Sequence, residues 1–347
     1  MLDKLSINKT SIYNWRLSKP VLRYVLGTCL ILTVTTLMDY PLSYLTSILA
    51  LSFMAPGTKP LSFKKGFGFI LVLTILTGFS YYFSEIFIDY PLVFMPMLCL
   101  GVLWIYYSQK LPMIIKLFAL MSVLLIPLLA LEAKAVSAFV ALSLVFNTLM
   151  AISLTQLMFV IFPWDKEDAF FEKSKGLSVK NNDLVQFRYA MNIMIVLLPL
   201  LLLFFIFKLS GGILVLIFAA ILSFSPALSN IKTGMVMIIA NIFGGLCAIV
   251  AYKLLVVVPI FSFMVLLTLI VGLIFASNLF STKKTAAIFG TGFSTFLLIL
   301  GSVTSSDDAA GEAVWARVIQ ISFAVIYVVI AFGLLNYYQK NKALKNT

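Results

Sequence analysis

The sequence predicts an all-α polytopic membrane protein of about twelve transmembrane segments, built as two parallel six-helix repeats in which the second helix of each repeat is short. Three observations lead there. Hydrophobic residues make up 62% of the 347 residues and charged ones only 11%, with a mean hydropathy of +1.09, more apolar surface than a soluble core requires. The basic residues gather in alternate gaps between the apolar runs, and the layout of the first half recurs in the second.

A polar and basic segment, 1–20, precedes the first span at 21–38. It has no apolar stretch before Val21, so it lacks the layout of a cleaved signal peptide, and the first span is expected to stay in the mature protein. The second, 41–55, is stopped by Pro56-Gly57 and Pro60. A basic turn with Lys59, Lys64 and Lys65 leads into the third, 66–88, and the fourth follows at 91–107. Lys110 and Lys116 mark the turn into the fifth, 112–131, and the sixth runs over 135–162, closing a first membrane repeat at 21–163. Residues 164–185 mix acids, lysines and two asparagines, a cytoplasmic linker too short to fold as a domain. The second repeat, 186–338, holds spans at 186–207, 212–226, 233–252, 254–275, 285–301 and 313–337, and a basic tail, 339–347, ends the chain.

Twenty-one of the 25 Lys and Arg residues lie in one set of gaps: the N-terminal segment through Arg23, the turns just named, the linker through Arg188, Lys232, Lys283-Lys284 and the tail. The opposite gaps hold Lys134, Lys208, Lys253 and Arg317 together with Asp39, Glu85, Asp89, Glu132, Asp307, Asp308 and Glu312. Basic loops stay inside, so both termini are expected in the cytoplasm. The net charge of +12 is thereby topology and not a nucleic-acid surface. Cys29, Cys99 and Cys247 sit in apolar runs at no metal-ligand spacing and are expected to be small buried hydrophobes.

The duplication rests on an ordered set of matches. Leu22-Arg23-Tyr24 opens the first span and Phe187-Arg188-Tyr189 the seventh. Leu51-Ser52-Phe53-Met54-Ala55-Pro56 closes the second and Leu222-Ser223-Phe224-Ser225-Pro226 the eighth; a Lys turn and a Gly-led span follow in both halves. Six is even, so the repeats enter from the same side and are expected to be related by an axis along the membrane normal.

The paired second spans are the most suggestive chemical feature. About 14 residues of helix reach only some 21 Å, short of a hydrocarbon core of roughly 30 Å. Corresponding short, Pro/Gly-interrupted segments can place backbone groups at a transporter's central site, which nominates Pro56, Gly57 and Pro226. A plain short or tilted helix accounts for them equally. Arg23 and Arg188 would hold an anion's carboxylate by a bidentate pair, or else anchor their helices at the lipid headgroups. Asn147, Gln156, Asn192, Asn241 and Gln320 lie inside spans and need partners there, on other helices or in a cavity. Asp39 either carries a coupled proton or caps the second helix.

The absences narrow the classes. The chain has no His, no phosphate-cradling Gly-rich Lys-Ser/Thr loop, no Gly-x-Ser-x-Gly elbow and no intramembrane carboxylate pair, so an enzyme, a cofactor and a metal site are not expected.

A first span opening on Arg, a short second span closing with Pro56-Gly57-Thr58, a basic turn and a Gly-bearing third span, all repeated after six helices, resemble the fusaric-acid-resistance and aromatic-acid-exporter superfamily in a short form. The large cytoplasmic insert of that superfamily is replaced by the linker, and Lys64-Lys65-Gly66 and Gly78 stand where the third span usually carries Arg and a Gly-Thr pattern. The resemblance implies proton-driven export of small amphipathic or aromatic organic anions, with a periplasmic membrane-fusion adaptor as a possible partner and a homo-oligomer as another. The alternatives from the residues alone are a major-facilitator-like carrier of another solute, disfavoured by the lack of an Asp or Gly-x-x-x-Asp-Arg pattern in the turn after the second span, and a non-transporting membrane scaffold or assembly subunit.

Overall fold

A computed structural model describes residues 18–207 except 41, 110, 132, 166, 167 and 169–182, then 215, 216, 219, 220 and 223, residues 231–304 except 282, 284 and 287, and 319–337 except 321, 325 and 336. Every regular element among these residues is a helix. The helices are α1 (Lys19–Met38), α2 (Tyr44–Phe53), α3 (Phe63–Phe87), α4 (Pro91–Tyr107), α5 (Met113–Ala130), α6 (Lys134–Ile161), α7 (Asp183–Phe207), α8 (Ile231–Val257), α9 (Phe261–Leu279) and α10 (Ile288–Thr304). A further apolar helix, α11, runs over Ser322–Leu335. Six of them, α1, α3, α6, α7, α8 and α9, contain stretches long and apolar enough to cross a bilayer, and the chain is a helical membrane protein.

The helix ends follow local chemistry. Pro20 sits in the first turn of α1, where its missing N–H has no helical partner to lose. The α1 helix ends at Asp39, whose left-handed φ of 44° returns its N–H to the Thr36 carbonyl. Asp39 therefore terminates α1, and the expected cap on the second helix is corrected: the residue before α2 is Ser43, which makes no side-chain cap. Asp is one of the few residues that enter the left-handed region readily, which explains its place. The α2 helix is short, as expected, at 10 residues, about 15 Å. It closes in a type II turn, Ala55-Pro56-Gly57-Thr58, with Pro at the second position, Gly57 at φ 72° at the third and Thr58 N–H on the Ala55 carbonyl at 3.0 Å.

One boundary differs clearly from the sequence reading. The ninth span was expected to end at 252, with Lys253 in the loop; instead α8 continues through Lys253 to Val257 and the next helix starts at Phe261. Pro259 makes the break, because it has no N–H to donate and biases the residue before it away from helix, whereas a Lys near a helix end can extend its ammonium toward water. A second basic residue on the acidic side, Lys134, pairs with Glu85 at 3.1 Å, an exposed ion pair that adds little stability.

The chain forms two compact units, and neither coincides with a half of the sequence. One comprises residues 1–62, 147–178 and 240–314; the other 63–146, 179–239 and 315–347. In the first, α1 packs on α2 and α9, and α10 packs on both α2 and α9. Its core gathers Tyr24, Phe275, Phe280, Phe293 and Phe296, with Tyr24 edge-on to Phe280 at 5.6 Å between ring centroids. In the second, α5 packs on α3 and α4, and α4 packs on α7. There the Tyr106 hydroxyl donates to the Ala220 carbonyl at 2.7 Å, and Gln186 donates to the Tyr106 carbonyl at 3.1 Å, joining the end of α4 to the start of α7.

Candidate functional site

The most charged buried site in the first unit lies at the start of α1. Arg23 and Asp168 are both fully buried. The carboxylate takes the guanidinium in a bidentate pair, Nη2 to Oδ1 at 2.5 Å and Nη1 to Oδ2 at 3.2 Å. Nη1 also donates to the Phe162 carbonyl at 3.3 Å, and the guanidinium carbon lies 4.3 Å from the centre of the Phe159 ring. Asp168 is in turn fixed by its own turn: its N–H donates to the Asp165 carbonyl at 3.1 Å and its Oδ2 accepts the Asp165 N–H at 3.1 Å. Lys19 pairs with Asp165 at 2.9 Å on the exposed rim, and the Lys59 ammonium lies 5.6 Å from the Trp164 ring. Two buried donors have no partner among the described residues, Arg23 Nε and Trp164 Nε1. Arg23, read from sequence as a substrate or headgroup anchor, is here buried and paired with a linker carboxylate.

Its counterpart behaves differently. Arg188, on α7, is exposed and makes no ion pair among the described residues. Its neighbours are engaged, Phe187 edge-on to Tyr107 at 6.2 Å and the Tyr189 hydroxyl on the Ser223 carbonyl at 3.4 Å.

The other candidates scatter. Pro56 and Gly57 form the turn described above, where the Thr58 hydroxyl donates to the Phe53 and Ala55 carbonyls at 2.9 and 2.5 Å and so satisfies the end of α2. Pro226 lies outside the described residues. Asp39 is exposed at the end of α1. Asn241 is buried, but its amide is spent between helices: Nδ2 donates to Thr291 Oγ1 at 3.2 Å, and Oδ1 accepts from Thr295 Oγ1 at 2.7 Å. That clamp lies beside a close crossing of α8 and α10, where a Cβ built at Gly292 would stand 2.6 Å from the Ala240 carbonyl oxygen and from the Phe275 ring. Small residues and polar clamps are how apolar helices select one another where water gives no drive.

A second polar chain joins α1's end, α2 and α6. The Thr46 hydroxyl donates to Asn147 Oδ1 at 2.7 Å and lies 2.5 Å from the Tyr40 hydroxyl; with Thr46's proton committed to Asn147, Tyr40 is the donor. Burial raises the Tyr40 hydroxyl above its ordinary range, which keeps that proton in place. Ser47 and Thr155, in the same unit, have buried hydroxyls without partners among the described residues. Asn147 is readable in sequence as a polar residue in a span that needs a partner; Asp168 is hidden, because a linker acid looks solvated and its partner is 145 residues away.

These elements define the class, a helical membrane protein with polar clamps between helices and a buried ion pair at one helix start. The chain matches no family model, no curated protein and no solved structure.

Proposed function

We propose that the chain is a duplicated twelve-segment carrier of the bacterial inner membrane, with both termini cytoplasmic, that exports small amphipathic or aromatic organic anions and is driven by the proton-motive force. The observation that carries the reading is the make-up of the two units. One takes the first and second segments and the sixth from residue 147 on, with residues 240–314, which hold most of the third and the fourth and fifth segments of the second half; the other takes 63–146, 179–239 and 315–347, close to the reverse. Two packings repeat accordingly: α1 on α9 corresponds to α7 on α4, a first segment against a fourth, and α9 on α10 corresponds to α4 on α5. A chance likeness between apolar stretches has no reason to give a reciprocal exchange, whereas a duplicated gene whose halves trade three helices does. Duplication of this kind is a frequent basis of alternating-access carriers. The resemblance to the aromatic-acid exporters supplies the substrate class, and the adaptor and oligomer belong to the same proposal.

Two measurements test it. For topology, a cysteine placed at Ser305 should react with an impermeant thiol reagent from outside intact cells and one at Ser174 should not; equal labelling ends the twelve-segment layout. For transport, the purified full chain in liposomes should move hydroxybenzoate-type acids under an imposed pH gradient. Arg188→Gln should slow that movement about tenfold or more and Arg188→Lys less, since a charge-assisted bond is worth roughly 1.5–3 kcal/mol and Lys keeps the charge while losing the fork. A protein that moves no acid of the panel is a scaffold or assembly subunit instead.

A further inference from the structure

The α3 and α5 helices leave a shallow groove of about 160 Å³ between them, lined by Phe69, Val72, Leu73 and Leu76 of α3 and by Ile115 and Phe118 of α5. Phe69, Leu73 and Phe118 are buried and form its floor, the two rings edge to face at 5.2 Å between centroids. On the α3 side it opens beside Leu71, Val72 and Ile75, which are exposed, so in a bilayer it faces hydrocarbon. All six lining side chains are apolar, so a water would find no side-chain partner there, and an acyl chain is the filling that the bilayer supplies.

The groove has a charged end. Lys65 precedes Phe69 by four residues, on the helix face that Phe69, Val72 and Leu76 share, and Lys116 follows Ile115 in the first turn of α5. Phe83 stacks on Phe94 across the short α3–α4 connection, and a Cβ on Gly101 of α4 would lie 3.5 Å from Val123 of α5. With Phe69 against Phe118, those levels agree only when α3 and α5 run the same way, which puts both lysines at one end. Along the axes Lys65 stands about 6 Å before Phe69 and Lys116 about 3 Å before Phe118, while the apolar lining runs about 10 Å the other way, from Phe69 to Leu76. Lys65 is exposed and Lys116 half-buried, and Lys64 on the neighbouring face adds to the local charge. None of the three makes an ion pair among the described residues, and neither helix has an acid in its first turn.

We propose that this groove binds an anionic phospholipid, with an acyl chain between α3 and α5 and the phosphate on Lys65 and Lys116. A basic recess between spans is complementary to an anionic head group, whereas a zwitterionic one brings its own cation to the phosphate and gains less from the lysines. Lysine suits the place, since its apolar stem lies along the hydrocarbon while its ammonium reaches the head-group level. The site needs the bilayer and not a transported solute, so it is independent of whether the chain exports anions.

The test uses the purified full chain in detergent, with bound lipid counted by native mass spectrometry as phosphatidylglycerol or phosphatidylcholine of the same acyl chains is added. One phosphatidylglycerol should bind about tenfold or more tightly than phosphatidylcholine, and Lys65→Gln/Lys116→Gln should remove most of that preference. Lys253→Gln/Lys283→Gln, which removes two exposed charges elsewhere, should keep it. Val72→Phe fills the groove and leaves both lysines in place, and it should weaken phosphatidylglycerol about tenfold. Equal affinity for the two lipids, or a preference that survives Lys65→Gln/Lys116→Gln, overturns the inference. Full binding by Val72→Phe overturns it as well, because the phosphate would then sit on the lysines with no chain in the groove. Glycerol phosphate, which has no chains, should not compete; competition at the lipid's own concentration makes this a site for free phosphate esters instead. A lipid-independent dimer that Val72→Phe breaks puts a second copy in the groove and overturns the lipid as its occupant. Should Lys65→Gln/Lys116→Gln not fold, the Val72→Phe result decides alone.

Discussion

Replacing Arg23 by Gln should destabilise the protein by about 3–5 kcal/mol, while Arg188→Gln should cost no more than about 0.5 kcal/mol. The two residues stand in similar phrases, Leu22-Arg23-Tyr24 and Phe187-Arg188-Tyr189, and differ in what the fold does with them. Arg23→Gln leaves the Asp168 carboxylate buried without its cation, facing a neutral amide beside the Phe162 carbonyl and the Phe159 ring. Arg188 is already hydrated or at the headgroups, so its loss strands nothing. The double change Arg23→Leu/Asp168→Leu should recover most of the deficit, because the net contribution of a buried pair is small even though each half is costly without the other. Thermal unfolding in detergent with added lipid, read from the monodisperse fraction after heating, gives the ranking. Equal midpoints for Arg23→Gln and Arg188→Gln would show that the burial of the first arginine is not what holds the linker.

The elements that sequence anticipates well are those in which a residue instructs its own backbone. Pro56 and Gly57 fix a turn wherever they fall in that order, and the short α2 before them followed directly. Span existence is legible for a similar reason, since apolar length is a local property: the first seven spans that hydropathy places each begin and end within a few residues of a helix. Charge position is a poorer guide to a boundary than proline. Lys253 suggested a loop, and the helix runs through it to the Val258-Pro259 break. What sequence did not give is neighbourhood. Hydropathy names segments and is silent on partners, so the make-up of the two units and the pairing of Arg23 with a linker acid both had to come from the folded chain. The sixth helix shows why: Asn147 and Thr155 are eight residues apart on one helix and buried in one unit, while residues 134–146 of the same helix belong to the other.

The crossing of α8 and α10 gives the second large effect, and its sign depends on which glycine is changed. A Cβ on Gly244 would overlap the backbone carbonyl of Gly292, and a Cβ on Gly292 would meet the Ala240 carbonyl at 2.6 Å; both obstacles are main chain, which cannot rotate aside as a side chain would. Gly244→Ala and Gly292→Ala should therefore each destabilise the protein by about 3 kcal/mol, the upper part of the range for overpacking, despite the better helix propensity of Ala. The separation they force would also lengthen the Asn241–Thr291 and Asn241–Thr295 bonds, removing the polar clamp together with the packing. Gly78 on α3 has nothing within 4 Å of an added Cβ, so Gly78→Ala should leave stability unchanged or raise it by up to about 1 kcal/mol. The three variants measured side by side in the unfolding assay separate contact from propensity. A Gly244→Ala protein as stable as Gly78→Ala would mean that α8 and α10 do not approach as closely as their backbones are placed, and the first unit would lose the contact that positions Asn241.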